Sequence, residues 1–194
     1  MSIDLSDPVS LALLTGRLLR QAKIDHALYG GLLLAAYGEA RETRDADFAV
    51  FEIDLESTRR ALEDAGLTTS ISFTEVVFGG LTLSRIAVLG DRVAAGLNTV
   101  DLVRPRSDRF ARGVLERSVD APLRSQMITV VSPEDFVLLK LLSTRGRDID
   151  DARSVLSHIG DSLDNDLIKE EVGALARELP DVPIETKYRD LLGS

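Results

Sequence analysis

Two aspartates separated by a single residue, Asp45 and Asp47, are the side chains whose type and spacing most directly suggest chemistry. They lie at the start of an apolar segment, residues 46–53, that predicts a buried strand. Side chains two apart on a strand point to the same face, so these carboxylates converge and repel each other unless a positive charge lies between them. A divalent cation with oxygen ligands supplies that charge, and Mg²⁺ is the common one where phosphates share the site.

A glycine pair, Gly30-Gly31, precedes the two acids and lies between a predicted short strand (residues 25–29) and a predicted helix (residues 32–37). Glycine lets the backbone approach a phosphate closely, and the N–H groups at the start of a helix favour negative charge. A phosphate-binding turn beside a paired carboxylate is the minimum for metal-assisted nucleotidyl transfer.

A third acid, Asp101, stands alone in the apolar segment 98–103. An unpaired buried carboxylate is costly, so this position predicts a partner charge. We expect Asp101 to complete the metal site and to draw the proton from an attacking hydroxyl group.

The order of these motifs resembles the DNA polymerase β-like nucleotidyltransferases, which carry a glycine pair, a spacer, Asp-x-Asp and a later acid flanked by apolar residues. Two segments resemble the AbiEii-type toxin branch of that superfamily, and the resemblance covers roughly residues 27–157. They are YGGLLLAAYGEARETRDAD, which begins at Tyr29, and SPEDFVLLKLLSTRGRDIDDARSVL, which begins at Ser132.

The resemblance implies a role for each matching residue. Asp45 and Asp47 would bind two Mg²⁺ ions, and Asp101 would complete that site. The remaining matching residues would contact the phosphates of the nucleoside triphosphate (NTP) or lie near them. These are Gly30 and Gly31 in the triphosphate loop, Arg41 and Arg44 before the acids, Lys140 at the triphosphate, and Asp148 and Asp151 nearby. Many relatives have serine at the position of Gly31, so one hydroxyl contact to phosphate is missing here.

The implied reaction is transfer of a nucleoside monophosphate from an NTP to a hydroxyl group of an RNA, a protein or a small molecule. The protein would be the toxin of a toxin-antitoxin pair, with an antitoxin protein as partner. One alternative is a non-catalytic nucleotide-binding or protein-interaction module on the same fold. Another is a glycosyltransferase that uses a sugar nucleotide, which would leave the glycine pair unexplained.

The pattern of apolar residues predicts an α+β fold, a small mixed sheet flanked by helices. Helices are predicted over residues 8–24 and 55–65, strand pieces over residues 68–103, and mostly helices from residue 107 onward. The helices expected there cover about residues 132–143, 147–158 and 164–179. We expect a nucleotidyltransferase core over residues 1–125 and a helical part over residues 126–194 packed on it, with a single domain as the alternative.

Composition narrows the function classes. The 194 residues include no cysteine, which excludes disulfides, cysteine-bound zinc and a thiol nucleophile. The net charge of −9 argues against a broad nucleic-acid-binding surface, although the arginine-rich segment 104–124 would suit an RNA backbone. The plainer interpretation of that segment is a solvated helix face of mixed charge. The N-terminus is acidic and polar, unlike a signal peptide, and no apolar run approaches the roughly 20 residues of a membrane span. We therefore expect a cytoplasmic protein.

Overall fold

The computed structural model describes residues 7–39, 42–89 and 98–193, which form helices packed on one mixed sheet. In chain order the described elements are α1 (Pro8–Gln21), β1 (His26–Tyr29), α2 (Gly31–Tyr37), β2 (Asp45–Val50), α3 (Leu55–Asp64), β3 (Thr68–Phe78), β4 (Leu81–Leu89), β5 (Asn98–Pro105), α4 (Asp108–Glu116), β6 (Val119–Leu123), β7 (Gln126–Val130), α5 (Pro133–Leu142), α6 (Gly146–Ile159), a short 3-10 helix (Gly160–Ser162), α7 (Asn165–Glu178) and α8 (Ile184–Leu192). The predicted α+β class is confirmed.

Local capping explains why two of the helices begin where the sequence predicts. The Asp7 carboxylate accepts from the Val9 N–H at 3.2 Å, and Pro8 occupies the first turn of α1. Ser132 caps α5 in the same way, accepting from the Asp135 N–H at 3.1 Å, with Pro133 at the first helical position. The N-termini of α1 and α5 each combine a side-chain acceptor with a proline. Proline suits this position because it has no N–H that would need a partner.

The seven strands of the sheet run in the order β3-β4-β5-β2-β1-β7-β6. The β2–β5 and β1–β7 pairs are parallel, and the other neighbours are antiparallel. The register places Asp47 opposite Tyr29 on one side and opposite Asp101 on the other. The next strand, β4, places Arg85 opposite Asp101. Acids that are 54 residues apart in the chain therefore become neighbours in the centre of the sheet.

The expectation that mostly helices follow residue 107 missed a hairpin, β6 and β7. These strands of five residues each pair with one another, and β7 also pairs with β1. Their short and largely exposed sequences, VDAPL and QMITV, carry too little alternation to be recognised from the pattern alone. The sheet thus continues past residue 125, and the division of the chain at that point stays a prediction.

The helix α5 forms the centre of the layer that follows the sheet. All its residues from Asp135 to Leu142 are buried, as expected of a helix enclosed on every side. It contacts α6, α7 and α8. Two charged side chains, Asp135 and Lys140, are buried with it and must find partners there. Among the described residues, no helix has both the length and the apolar character required to cross a membrane.

Candidate active site

The three predicted acids lie on adjacent strands in the middle of the sheet. Asp45 and Asp47 occupy alternate positions of β2, and Asp101 faces Asp47 from β5. All three border one cleft that opens to solvent. The structure therefore brings together the carboxylates that their types and spacing singled out.

Two of these acids have close partners within the sheet. The Thr99 hydroxyl donates to Asp45 Oδ1 at 2.9 Å. The Arg85 guanidinium donates to both oxygens of Asp101, from Nε at 2.8 Å and from Nη2 at 2.7 Å. Asp101 is 1% exposed, and Arg85 is the partner charge that its burial predicted.

Sequence reasoning missed Arg85 as a site residue. It stands in the apolar strand β4, LTLSRIAVL, where a lone cation is as conspicuous as Asp101 is in β5. The guanidinium also lies 5.5 Å from the Phe73 ring centroid, which restricts its orientation. A lone charge in an apolar strand could have identified Arg85 from the sequence, but only the order of the strands shows that its partner is Asp101.

The environment of Asp47 disfavours its ionisation. Burial raises the pKa of Asp47 to about 7, and the negative charges of Asp101 and Asp45 contribute to the rise. Lys140 and Arg145 lower the same pKa by smaller amounts. A carboxylate destabilised in this way by burial and by like charges binds a cation or a proton favourably.

The glycine pair gives the acids room. Gly30 has φ +77°, and a Cβ placed on it would lie 1.9 Å from Asp47 Oδ2. A Cβ on Gly31 would lie 2.9 Å from the Thr43 Cβ. Both glycines therefore allow the β1–α2 turn to pack directly against the segment that carries the acids. Gly30 also borders the cleft, and contact of the pair with phosphate stays a prediction.

Lys140 borders the same cleft, but its ammonium group is already bound. Lys140 Nζ donates to Asp148 Oδ1 at 2.8 Å and to Asp151 Oδ2 at 2.7 Å. It also lies 5.4 Å from each of the ring centroids of Tyr29 and Phe136. Asp148 and Asp151 thus lie beside Lys140 as expected, whereas a contact from Lys140 to triphosphate stays a prediction.

Of the two arginines predicted before the acids, the structure describes only Arg44. Arg41 lies outside the described residues. Arg44 is exposed and does not border the cleft, whereas its neighbour Thr43 does. The phosphate role of Arg44 stays a prediction that this arrangement does not favour.

The rest of the cleft wall combines an apolar and a basic part. Phe78, Leu81, Leu83 and Val103 form the apolar wall beside the acids. Arg145 and Arg147, on the segment that joins α5 to α6 and in the first turn of α6, form the basic part. Sequence reasoning did not assign a role to either arginine.

The arginine-rich segment 104–124 is not a run of free cations. Five of its six arginines form ion pairs with carboxylates, and Arg112 lies over the Phe51 ring at 4.1 Å. The pairs are Arg104 with Asp108, Arg106 with Asp181, Arg109 with Glu171 and Glu178, Arg117 with Asp135, and Arg124 with Asp7. Most of the positive charge of this segment is therefore compensated within the fold.

The acids suit a hard cation chemically, although they are not arranged as a finished site. In the part of the chain that the structure describes, no group of three or more His, Cys, Asp or Glu side chains is arranged to hold a metal ion. Asp45 Oδ1 accepts from Thr99, and both Asp101 oxygens accept from Arg85. The donors are nevertheless all carboxylate oxygens, the ligands that Mg²⁺ prefers.

Comparison with known proteins adds a family and a fold. The family model described as nucleotidyl transferase AbiEii toxin, type IV TA system, matches residues 12–188. The solution structure of the antibiotic-resistance factor ANT(2'')-Ia is 11% identical and has a TM-score of 0.54, over 89% of this chain and 95% of that chain. A nucleotidyltransferase-like protein of Paracoccidioides brasiliensis, an antigen, is 17% identical with a TM-score of 0.49, over 92% and 89%. The search of curated proteins returned no match. The similarity to ANT(2'')-Ia shows a shared fold.

Proposed function

This chain belongs to the AbiEii nucleotidyl transferase family, and from that premise we propose that it moves a nucleoside monophosphate from an NTP to a hydroxyl group at the cleft of Asp45, Asp47 and Asp101. The family makes the protein an enzyme of the nucleotidyltransferase class. The observation that carries the assignment of the site is the register of the sheet. It pairs Asp47 with Tyr29 on one side and with Asp101 on the other, and Asp47 and Asp101 both border an open cleft.

The proposed reaction is a substitution at the α-phosphorus of the NTP. The acceptor oxygen forms a bond to that phosphorus, the bond to the bridging oxygen breaks, and pyrophosphate leaves with the electron pair. The hydroxyl proton passes to a carboxylate, for which Asp101 is the candidate. The Arg85 guanidinium donates to both oxygens of Asp101 and so fixes the position of this carboxylate at the cleft.

Asp45, Asp47 and Asp101 are the residues that would hold Mg²⁺. The bound ion would supply positive charge to the phosphates and to the leaving pyrophosphate. Arg85 donates to Asp101 and Thr99 donates to Asp45, so both carboxylates would share or exchange these partners if they held the ion. The raised pKa of Asp47 supports the assignment because a nearby cation relieves the same repulsion.

The acceptor can be an RNA, a protein or a small molecule. The internal ion pairs of segment 104–124 remove one argument for RNA, and the net charge of −9 favours an acceptor other than a long polyanion. The family description supports a role as the toxin of a toxin-antitoxin pair, with an antitoxin protein as partner.

A second candidate function is nucleotide binding without transfer. The contact between Arg85 and Asp101 favours it, because a guanidinium that stays on Asp101 would keep that acid from both metal and proton. Turnover in the presence of metal distinguishes the two functions.

The test incubates the protein with Mg²⁺ and each α-³²P-labelled NTP, together with total RNA, lysate protein or neither. Asp47→Asn removes the central carboxylate, and Asp190→Asn, at an exposed position of α8, is the matched control. We expect labelled product from wild type and from Asp190→Asn, and none from Asp47→Asn. The labelled fraction identifies the acceptor class. Mg²⁺-dependent NTP binding by wild type without pyrophosphate release under any condition would support the second function.

A further inference from the structure

We propose that Arg145 and Arg147 bind the triphosphate of the nucleotide, and that Lys140 acts as a positioning residue that keeps these two arginines available. The inference rests on the proposed function, since it names the side chains that hold the leaving pyrophosphate. It also departs from the role that the family resemblance implies for Lys140.

The charge of Lys140 is already compensated by two carboxylates. It is buried, and two of its three N–H donors are engaged by Asp148 and Asp151 at 2.8 and 2.7 Å. The three side chains together carry a charge of about −1 when all are ionised. Contact with a phosphate would require Lys140 to leave two buried carboxylates uncompensated, which is strongly unfavourable.

Arg145 and Arg147 are two cations of the cleft wall. Both are exposed and border the cleft that also contains Asp45 and Asp47. Across residues 7–39, 42–89 and 98–193, neither guanidinium has a carboxylate within ion-pair distance. The Arg145 guanidinium lies 5.8 Å from the ring centroid of Phe78 on the apolar wall. An arginine fork of this kind binds phosphate oxygens in pairs.

Hydrogen bonds from α8 and within the segment itself fix the backbone of residues 141–145, which leads to the two arginines. Lys187 of α8 donates to the Leu141 carbonyl at 3.1 Å and also to the Ser143 carbonyl. The Ser143 hydroxyl accepts from the Arg145 N–H at 3.3 Å. These contacts fix the backbone that leads to the arginines before a nucleotide binds, which lowers the entropy lost on binding.

The role of Lys140 follows from the position of Asp148. Asp148 directly follows Arg147 in the first turn of α6 and borders the same cleft. Because Lys140 satisfies Asp148, that carboxylate does not capture the neighbouring guanidinium groups. Lys140 therefore acts on the triphosphate through Asp148.

The experiment measures the affinity of the protein for magnesium tripolyphosphate, for each NTP and for the corresponding nucleoside. We expect Arg145→Ala/Arg147→Ala to weaken tripolyphosphate and NTP binding roughly 10- to 100-fold and to leave nucleoside binding within about twofold. Arg145→Lys/Arg147→Lys should recover part of the loss, since charge remains but the fork does not. Arg153→Ala is the matched control, because that exposed arginine of α6 pairs with Asp150 away from the cleft lining.

A charge-preserving pair of substitutions tests the role of Lys140. Lys140→Met should weaken tripolyphosphate binding, and Lys140→Met/Asp148→Asn should restore it, because the double variant keeps the net charge of the original three side chains. A direct phosphate contact by Lys140 predicts no recovery, and that result would overturn the inference. Unchanged tripolyphosphate affinity in Arg145→Ala/Arg147→Ala would also overturn the inference. If wild type bound neither NTP nor tripolyphosphate, the proposed function itself would be refuted, whereas the previous two results leave it standing.

Discussion

Asp47 lies on β2 and has a neighbour on each side in the sheet, Tyr29 on β1 and Asp101 on β5. At the scale of single residues, the candidate site consists of charges whose partners decide what they can bind. Asp101 is compensated by Arg85 and Lys140 by Asp148 and Asp151. Asp47 has no comparable cation at hydrogen-bond distance among the described residues, and burial together with the charges of Asp101 and Asp45 raises its pKa.

The first residue-scale prediction concerns pH. A proton on Asp47 competes with Mg²⁺, and burial and like charges raise the pKa of this acid to about 7. The folded protein therefore binds an extra proton below that pH, so Mg²⁺ affinity should fall as pH decreases from 8 to 6, approaching roughly tenfold per pH unit. Calorimetric Mg²⁺ titrations at pH 6, 7 and 8 measure this.

The control for the pH prediction is Asp190→Asn, which should keep the same dependence. Asp47→Asn should bind Mg²⁺ weakly at every pH. Equal wild-type affinity at pH 6 and pH 8 would show that Asp47 is not a ligand or that its pKa is not raised.

The second residue-scale prediction concerns Gly30. Gly30→Ala places a methyl group against Asp47 Oδ2 and forces alanine to φ +77°. Gly66→Ala is the matched control, since Gly66 has φ +92° but no atom within 4 Å of its added Cβ. Both variants should lose about 1 kcal/mol of unfolding free energy from backbone strain. Only Gly30→Ala should also lose Mg²⁺-dependent NTP binding, measured by calorimetry, and intact binding would contradict the packing argument.

At the scale of elements, α5 connects the sheet to the helices that follow. Its buried Asp135 accepts from Arg117 of the α4–β6 connection at 3.0 and 2.7 Å, and from the Ser132 hydroxyl at 3.1 Å. Burial raises the pKa of Asp135, and Arg117 opposes that rise. The position of α5, and so of Lys140, depends on this pair.

The prediction at this scale is that Arg117→Ala destabilises the fold by roughly 2–4 kcal/mol at pH 8, because it leaves a buried carboxylate unpaired. The folded-state pKa of Asp135 would rise further, so the loss should shrink as pH falls and the acid becomes protonated. Urea unfolding at pH 8 and pH 5 measures both effects. Arg112→Ala removes an exposed arginine that lies over Phe51 and should cost less than about 1 kcal/mol; similar losses in the two variants would contradict the argument.

At the scale of the whole molecule, the sheet and the later helices depend on each other. The strand β7 pairs with β1, and Tyr37 of α2 donates to the Val131 carbonyl at 2.8 Å. Six apolar residues of α5 have no exposed surface: Phe136, Val137, Leu138, Leu139, Leu141 and Leu142. Contacts cross residue 125 in both the sheet and the core.

The whole-molecule prediction is that a fragment of residues 1–125 does not fold by itself. It would expose the β1 edge that β7 covers and the core surface that α5 covers. Circular dichroism and urea unfolding of the fragment, beside the full chain, measure this. Cooperative unfolding of the fragment would instead support a separable core ending at residue 125.

The fold class and most of the later helices were predictable from local patterns. Capping residues and prolines placed the starts of α1 and α5 within a residue, because a helix end is determined by side chains within one turn. The hairpin of β6 and β7 was not predictable, since strand pairing depends on residues far away in the chain. Asp45, Asp47 and Asp101 were recognisable because a charged residue within or beside an apolar segment is visible in the sequence alone.

The sequence by itself determined the positions of the three acids, the need for glycine beside them and the membership of a nucleotidyltransferase family. Only the tertiary structure decided which charges compensate one another. It paired Asp101 with Arg85, Lys140 with Asp148 and Asp151, and five arginines of segment 104–124 with carboxylates, and it placed Arg145 and Arg147 at the cleft. The physical reason is that an ion pair depends on distance and burial in three dimensions, which strand order and helix packing determine and local spacing does not.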